Sequence, residues 1–210
     1  MRSVVPILLI TFGVGCTAKD SGTTAKSDTT TSTTTASSTT ETAITSTETA
    51  VAPEVSPPGD IPDSQAFVKY TNTAGGYQLE VPEGWARTEN GADVIFVNKF
   101  DGVKVHVASA SAAPTAASAQ ASEVKQIQSQ GHAVTITDVS EVNLPAGKAV
   151  VIKYTSNSDP NPVTNKRVRL ENVTYLYYKN GKEAQLTVWA PLGADNVDQW
   201  NRMANSFRWL

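Results

Sequence analysis

Residues able to do chemistry are sparse in this chain. Among 210 residues there is one cysteine, Cys16, and there are two histidines, His106 and His132. Neither histidine has a cysteine or a second histidine at ligand spacing, which argues against a transition-metal site. A GxSxG nucleophile elbow is absent, and so is a glycine-rich phosphate loop. Carboxylates occur singly. Two loops, "SDPNPVTN" (158–165) and "GADN" (193–196), hold oxygen ligands of the kind calcium uses. They lack the dense, repeated carboxylates of a dedicated calcium loop, and a strand-connecting turn and a helix cap explain them more simply. Trp189, on an apolar strand, reads as a core residue first and as a partner-contact aromatic second. No catalytic, cofactor-binding or metal-binding residue is assigned, and no cofactor is expected.

Cys16 is the residue whose position carries a chemical message. Met1-Arg2-Ser3 supplies a short positive start, and Val4 to Val14 is apolar apart from Thr11 and Gly13. That run is too short for a membrane-spanning helix, which needs about 20 residues. It has the length and flanks of a secretory signal peptide, here residues 1–15. "Gly13-Val14-Gly15-Cys16" resembles the bacterial lipobox, although Gly13 stands where an aliphatic residue is usual. The resemblance implies that Cys16 carries a diacylglycerol thioether and becomes the first residue of the mature chain. Ordinary cleavage before Lys19 is the alternative, since Thr17 and Ala18 are small. Lipidation is favoured because an exported chain with one cysteine has no disulfide partner and an exposed free thiol is a liability. A chain with two or more acyl groups anchors stably, each buried methylene contributing about 0.8 kcal/mol. The protein is thus expected on the outer face of the cytoplasmic membrane, in the bacterial cell envelope, with a protein partner there.

Residues 16–61 read as a tether. Nearly half of residues 17–50 are threonine, aromatics are absent there, and Ile44 is the only large aliphatic residue. Such a stretch cannot bury enough apolar surface to offset its ordering entropy, so disorder is expected. As a coil of some 45 residues it would span roughly 35–40 Å. All four tryptophans and all six tyrosines lie after residue 65, in a single domain read over 62–210. The net charge is −3, and the densest positive spot is Lys166, Arg167 and Arg169. There is no basic bias of the kind nucleic-acid binding needs.

Strand signals dominate that domain. In "GYQLEVPEGW", Tyr77, Leu79 and Val81 alternate with Gln78 and Glu80, the period of a half-buried strand. "DVIFVNKF" and "VKVHVASA" flank Asp101-Gly102, read as a hairpin turn. In the second of these, Val103, Val105 and Val107 point one way and Lys104 and His106 the other. Residues 115–130 read as one helix ending at Gly131. "AVTITDVSEVNLP" and "KAVVIKYTSN" are joined at Ala146-Gly147. "KRVRLENVTYLYYK" and "KEAQLTVWA" flank Asn180-Gly181, the strongest hairpin turn in the chain. The slip in alternation between Glu171 and Val173 suggests a bulge. A closing helix begins at Asp195 as N-cap, with Val197, Trp200, Met203, Ala204 and Phe207 toward the core. The pattern predicts an α+β fold, a central antiparallel sheet flanked by helices in an α/β/α sandwich.

The "GYxxxxPxGW" opening, the middle helix, the "PAGKAVVIxY" strand and the closing "DxW…SFRW" helix resemble the PsbP/Mog1-like fold, with bacterial PsbP-related lipoproteins as the nearest group. The resemblance spans about residues 65–210. It rests on packing and turn residues: Tyr77, Pro82, Gly84, Trp85, Pro145, Gly147, Trp200, Phe207 and Trp209. In photosynthetic members this fold is an extrinsic photosystem II subunit that helps retain calcium and chloride, and Mog1 binds a small GTPase. No residue set carries either activity to this chain. The expectation is a non-catalytic, lipid-anchored binding or accessory protein of a membrane-associated complex, with an envelope small-ligand or ion-binding module as the alternative.

Overall fold

The computed structural model describes residues 48–56 and 58–210. Cys16, the expected signal peptide and the expected tether up to residue 47 lie outside the described residues. Ten strands and three helices follow in the order β1 Phe67–Asn72, β2 Tyr77–Pro82, β3 Ala86–Asn90, β4 Asp93–Asn98, β5 Asp101–Ser109, α1 Ala116–Ala121, α2 Glu123–Gln130, β6 His132–Leu144, β7 Gly147–Asn157, β8 Arg169–Lys179, β9 Lys182–Pro191, α3 Val197–Ser206 and β10 Arg208–Trp209.

Seven strands form one antiparallel sheet in the order β3-β4-β5-β9-β8-β7-β6. The fold is therefore α+β, with a multi-stranded antiparallel sheet flanked by helices. β1, β2 and β10 make a separate three-stranded sheet, so the Tyr77–Pro82 strand belongs to this smaller sheet and not to the central one. The small sheet and α3 bury the first face of the large sheet. Tyr77, Leu79, Met203 and Phe207 meet Val103, Val105, Leu186 and Val188 there, all with almost no exposure. At the centre Phe207 stacks between Tyr77 (5.7 Å) and Tyr177 (4.3 Å). The two hydroxyls are satisfied: Tyr77 donates to Ala92 O (3.0 Å) and Tyr177 to Ala204 O (2.9 Å). On the second face α1 and α2 cover only one half. Ala119 and Val124 pack on Val150, Ile152 and Leu176, from β7 and β8.

Several expected boundaries move, each for a physical reason. The β4–β5 turn is Lys99-Phe100, closed by Asn98 opposite Asp101, so Asp101 and Gly102 are buried strand residues. The β6–β7 turn is Pro145-Ala146, with Gly147 already paired to Leu144. Residues 115–130 form two helices, broken at Ser122, whose backbone is not helical. β8 carries no bulge. It pairs in continuous register with β7 and β9, and its alternation slips because buried apolar residues fall on both faces, Leu170 and Leu176 on one and Val173 and Tyr175 on the other. The register shifts fall in edge strand β6 instead, between His132 and Asp138. His132 is the first residue of that strand. The N-cap of α3 is Asn196, and Val197 is 59% exposed because the buried stripe starts at Trp200. Asn180-Gly181 makes the expected turn, with φ of 51° and 79°.

Residues 48–61, read from sequence as the end of the tether, hold specific contacts. Ile61 is buried. Asn196 accepts from Ile61 N–H (2.6 Å) and donates to Gly59 O (2.7 Å). Farther upstream, Asn157 accepts from Val51 N–H (3.1 Å) and donates to Thr49 O (3.0 Å).

Candidate functional site: the open half of the large sheet

The half of the second sheet face that α1 and α2 leave uncovered is concave. Its floor follows from register. Ile95, Lys104, Thr187 and Thr174 lie in one row across β4, β5, β9 and β8. Gly102, Trp189, Asn172 and Tyr154 lie in the next, across β5, β9, β8 and β7. Helix α2 walls one side through Gln126, Ile127 and Gln130. The Lys99-Phe100 turn and the 158–166 loop wall the far end. Two adjoining recesses result, of about 470 and 250 Å³, sizes in or near the range of small-molecule sites.

Trp189 is half-buried on this floor. Its indole lies over Gly102, where a Cβ would come within 1.9 Å of the ring. A side chain at position 102 would have to displace that ring. Phe100 at the rim is 38% exposed. Thr174 and Thr187 bond each other (2.9 Å), and Asn172 donates to Ser156 Oγ (3.0 Å). Burial raises the pKa of Tyr154, so its hydroxyl stays protonated.

The two histidines stand at opposite ends. His106 Nδ1 is 2.8 Å from Asp93 Oδ2. Burial works to raise the Asp93 pKa, but the bonds from His106 and from Val107 N–H together hold it below the usual carboxylate value. An Asp–His pair supplies two of the three members of a hydrolytic triad. The hydroxyls in the recess beside His106 are Tyr154 and the mutually bonded Thr174 and Thr187, and no serine or cysteine lines it. At the other end His132 bridges two acids, with Nδ1 2.9 Å from Glu48 and Nε2 3.2 Å from Asp159. Glu48 also receives Asn157 (3.2 Å) and Arg167 (3.3 Å). The Asn157 bond, then those from His132 and Arg167, hold its pKa low. The segment entering the domain is thus clasped at the rim of the groove.

The loop 158–165 and Trp189, separate in sequence, come together here. The loop is a strand-connecting turn in which Asn161 Oδ1 accepts from Val163 N–H (2.9 Å) and Thr164 N–H (3.0 Å). The loop 193–196 lies elsewhere and caps α3, and Asp195 N–H donates to Asp60 (2.9 Å). Among the described residues, no group of three or more histidines, cysteines or acids could hold a metal ion. Cys16 lies outside them. Lys99, Lys104, Phe100, Tyr154 and Asn172 were not singled out from sequence. Their one signal was the polar face of β5, Lys104 and His106, opposite an unbroken valine face.

No family model matches the chain, and no curated protein does. Among solved structures it has a distant resemblance to PsbP/Mog1-like and related α+β folds. Cyanobacterial PsbP (CyanoP) from Synechocystis is 15% identical, over 73% of this chain and 99% of that one, with a TM-score of 0.49. The Ran-binding protein Mog1p of Saccharomyces cerevisiae is 10% identical, over 69% and 96%, at 0.48. LpqN of Mycobacterium tuberculosis, involved in cell envelope biogenesis, is 13% identical, over 70% and 85%, at 0.38. Likenesses at this distance decide nothing about function, so the groove stands on its own residues.

Proposed function

We propose that this chain is a non-catalytic binding protein of the bacterial cell envelope, anchored by lipid on Cys16 to the outer face of the cytoplasmic membrane. It acts as an accessory subunit of a membrane-associated complex and engages its partner through the concave face. The observation that carries this reading is the half-covered sheet. A sheet face left open by its helices, with an exposed Phe100 and a half-exposed Trp189, is a surface shaped for an occupant. The non-catalytic part is supported by the pairing of both histidines with carboxylates, and by Ser158, a serine lining the larger recess, whose hydroxyl is taken up by backbone: it donates to Asp159 O (2.8 Å) and accepts from Val168 N–H (3.0 Å). The lone thiol beside a short apolar run supports the anchor. The size of the recess also favours a second reading, an envelope module for a small ligand.

The test is cross-linking of the tagged, full-length protein in native membranes, with and without Lys99→Glu and Phe100→Ala. A stoichiometric membrane partner that is lost with these variants supports the accessory reading. Recovery of nothing specific overturns it in favour of the small-ligand module. In parallel, Cys16→Ser releases the protein into soluble fractions. Retention of that variant in the membrane overturns the anchor.

A further inference from the structure

We infer that the concave face takes an acidic sugar, a pyranose ring bearing an anionic substituent. The inference rests on the reading of this face as the binding surface and names its ligand chemistry. Three observations converge on it.

The first is what the floor can offer. β5, β9, β8 and β7 are all inner strands, paired on both sides, so their backbone N–H and C=O groups are already used in the ladders. A peptide adding as a strand would find no edge here. Recognition must come from side chains, and these combine hydroxyls and amides in both recesses with apolar Ile95, Phe100 and Leu170 in the larger one. Thr174, Thr187, Asn172, Gln185 and Gln130 line the two recesses.

The second is a flat aromatic surface beside those polar groups. One side of the Trp189 ring is packed on Gly102, and the residue stays half-exposed in the larger recess. Ring-shaped ligands with polar edges use such a platform for their apolar face.

The third is charge. Lys99 from the β4–β5 turn, Lys104 from within β5 and Lys166 from the loop before β8 reach the larger recess. Among the described residues none of the three forms an ion pair. The acids lining the two recesses are Glu123, on the α2 side, and Asp159, which faces His132. Three free ammonium groups around one aromatic platform complement a carboxylate or phosphoryl group carried on a ring.

Isothermal titration calorimetry of the full-length chain tests this, at low and at high salt. The probes are a uronate-containing oligosaccharide, a phosphorylated oligosaccharide, a neutral oligosaccharide of equal length, and oligoglutamate. The expected result is that one acidic sugar binds at least about tenfold more tightly than the neutral one, weakens with salt, and loses about tenfold in Lys99→Glu/Lys104→Glu. The first two probes separate the carboxylated source from the phosphorylated one. Trp189→Ala abolishes binding and Trp189→Phe retains part of it, with melting curves confirming that each variant is folded. Equal binding of the neutral sugar, equal binding of oligoglutamate, or binding of no sugar overturns the inference. If no sugar binds while a membrane partner is still captured through Lys99 and Phe100, the ligand class falls and the binding surface stands.

Discussion

The indole of Trp189 occupies the space that a side chain at Gly102 would need. A Cβ there would lie 1.9 Å from Cζ2 and 2.3 Å from Cη2. The two residues are directly opposite on β9 and β5, so the contact is a cross-strand pair in which a glycine is covered by an aromatic ring. Gly102→Ala cannot be absorbed without moving the ring. We expect a destabilisation of about 1–3 kcal/mol from overpacking, together with a change in tryptophan fluorescence as the indole tips into the groove. Equilibrium unfolding and emission spectra of the variant check this. Unchanged emission with unchanged stability would show that the ring does not depend on the glycine.

Phe207 joins the two sheets. It is fully buried, stacked 4.3 Å from Tyr177 of the large sheet and 5.7 Å from Tyr77 of the small one. Its ring therefore couples the first residue after α3 to both layers. Phe207→Ala should cost about 3–5 kcal/mol, seen as a lower denaturant midpoint with little change in slope. A loss below about 1 kcal/mol would mean that the tyrosines close the gap by themselves.

How much of this was legible in sequence differs by element. Asn180-Gly181 was readable because both residues take positive φ, which few other residue pairs tolerate. The closing helix was readable from Trp200, Met203 and Ala204, whose spacing matches one helix face. Asp101-Gly102 misled for a specific reason: a glycine kept for close packing against Trp189 looks like a glycine kept for a turn. β1 and β3 were missed because their exposed faces, such as Ala86–Asn90, show no apolar alternation. The groove was illegible as a unit. It joins Phe100, Tyr154 and Trp189, which only strand order and register bring side by side.

Asp101 gives the fold a pH dependence. It is 4% exposed, its Oδ1 has no hydrogen-bond partner, and that oxygen rests against Gly59. Burial, reinforced by the charge of Asp60, raises its pKa to about 7. The unfolded chain titrates near the ordinary value of about 3.9. Between these values the native state holds more protons than the unfolded state, so stability falls as pH rises through that window. The contribution is fully present below about pH 4 and lost above about pH 7. Asp101→Asn removes the slope: melting temperature should rise by a few degrees near neutrality and above, with little change in acid. Urea titrations across that range check the sign. A variant with the same pH profile as the parent would place the titration elsewhere.

Asn196 determines whether the segment before β1 stays on the domain. It has no exposed surface, and its side chain bonds Ile61 N–H and Gly59 O at once. Gly59 takes a φ of 131°, a conformation that suits glycine, and so presents that carbonyl. Asn196→Ala leaves a buried donor and a buried acceptor without partners, at a cost of about 1–3 kcal/mol each where water cannot reach them. Local opening is cheaper than global unfolding, because residues 48–56 and 58 are mostly exposed and belong to no strand or helix. The expected result is therefore faster hydrogen exchange and proteolytic cleavage confined to residues 48–61, with a smaller change in overall melting temperature. Asn196→Asp should fall between the two, since it keeps the acceptor for Ile61 N–H and loses the donor to Gly59 O. Protection of residues 59–61 at parental levels in Asn196→Ala would show that the buried Ile61 side chain holds the segment without the amide.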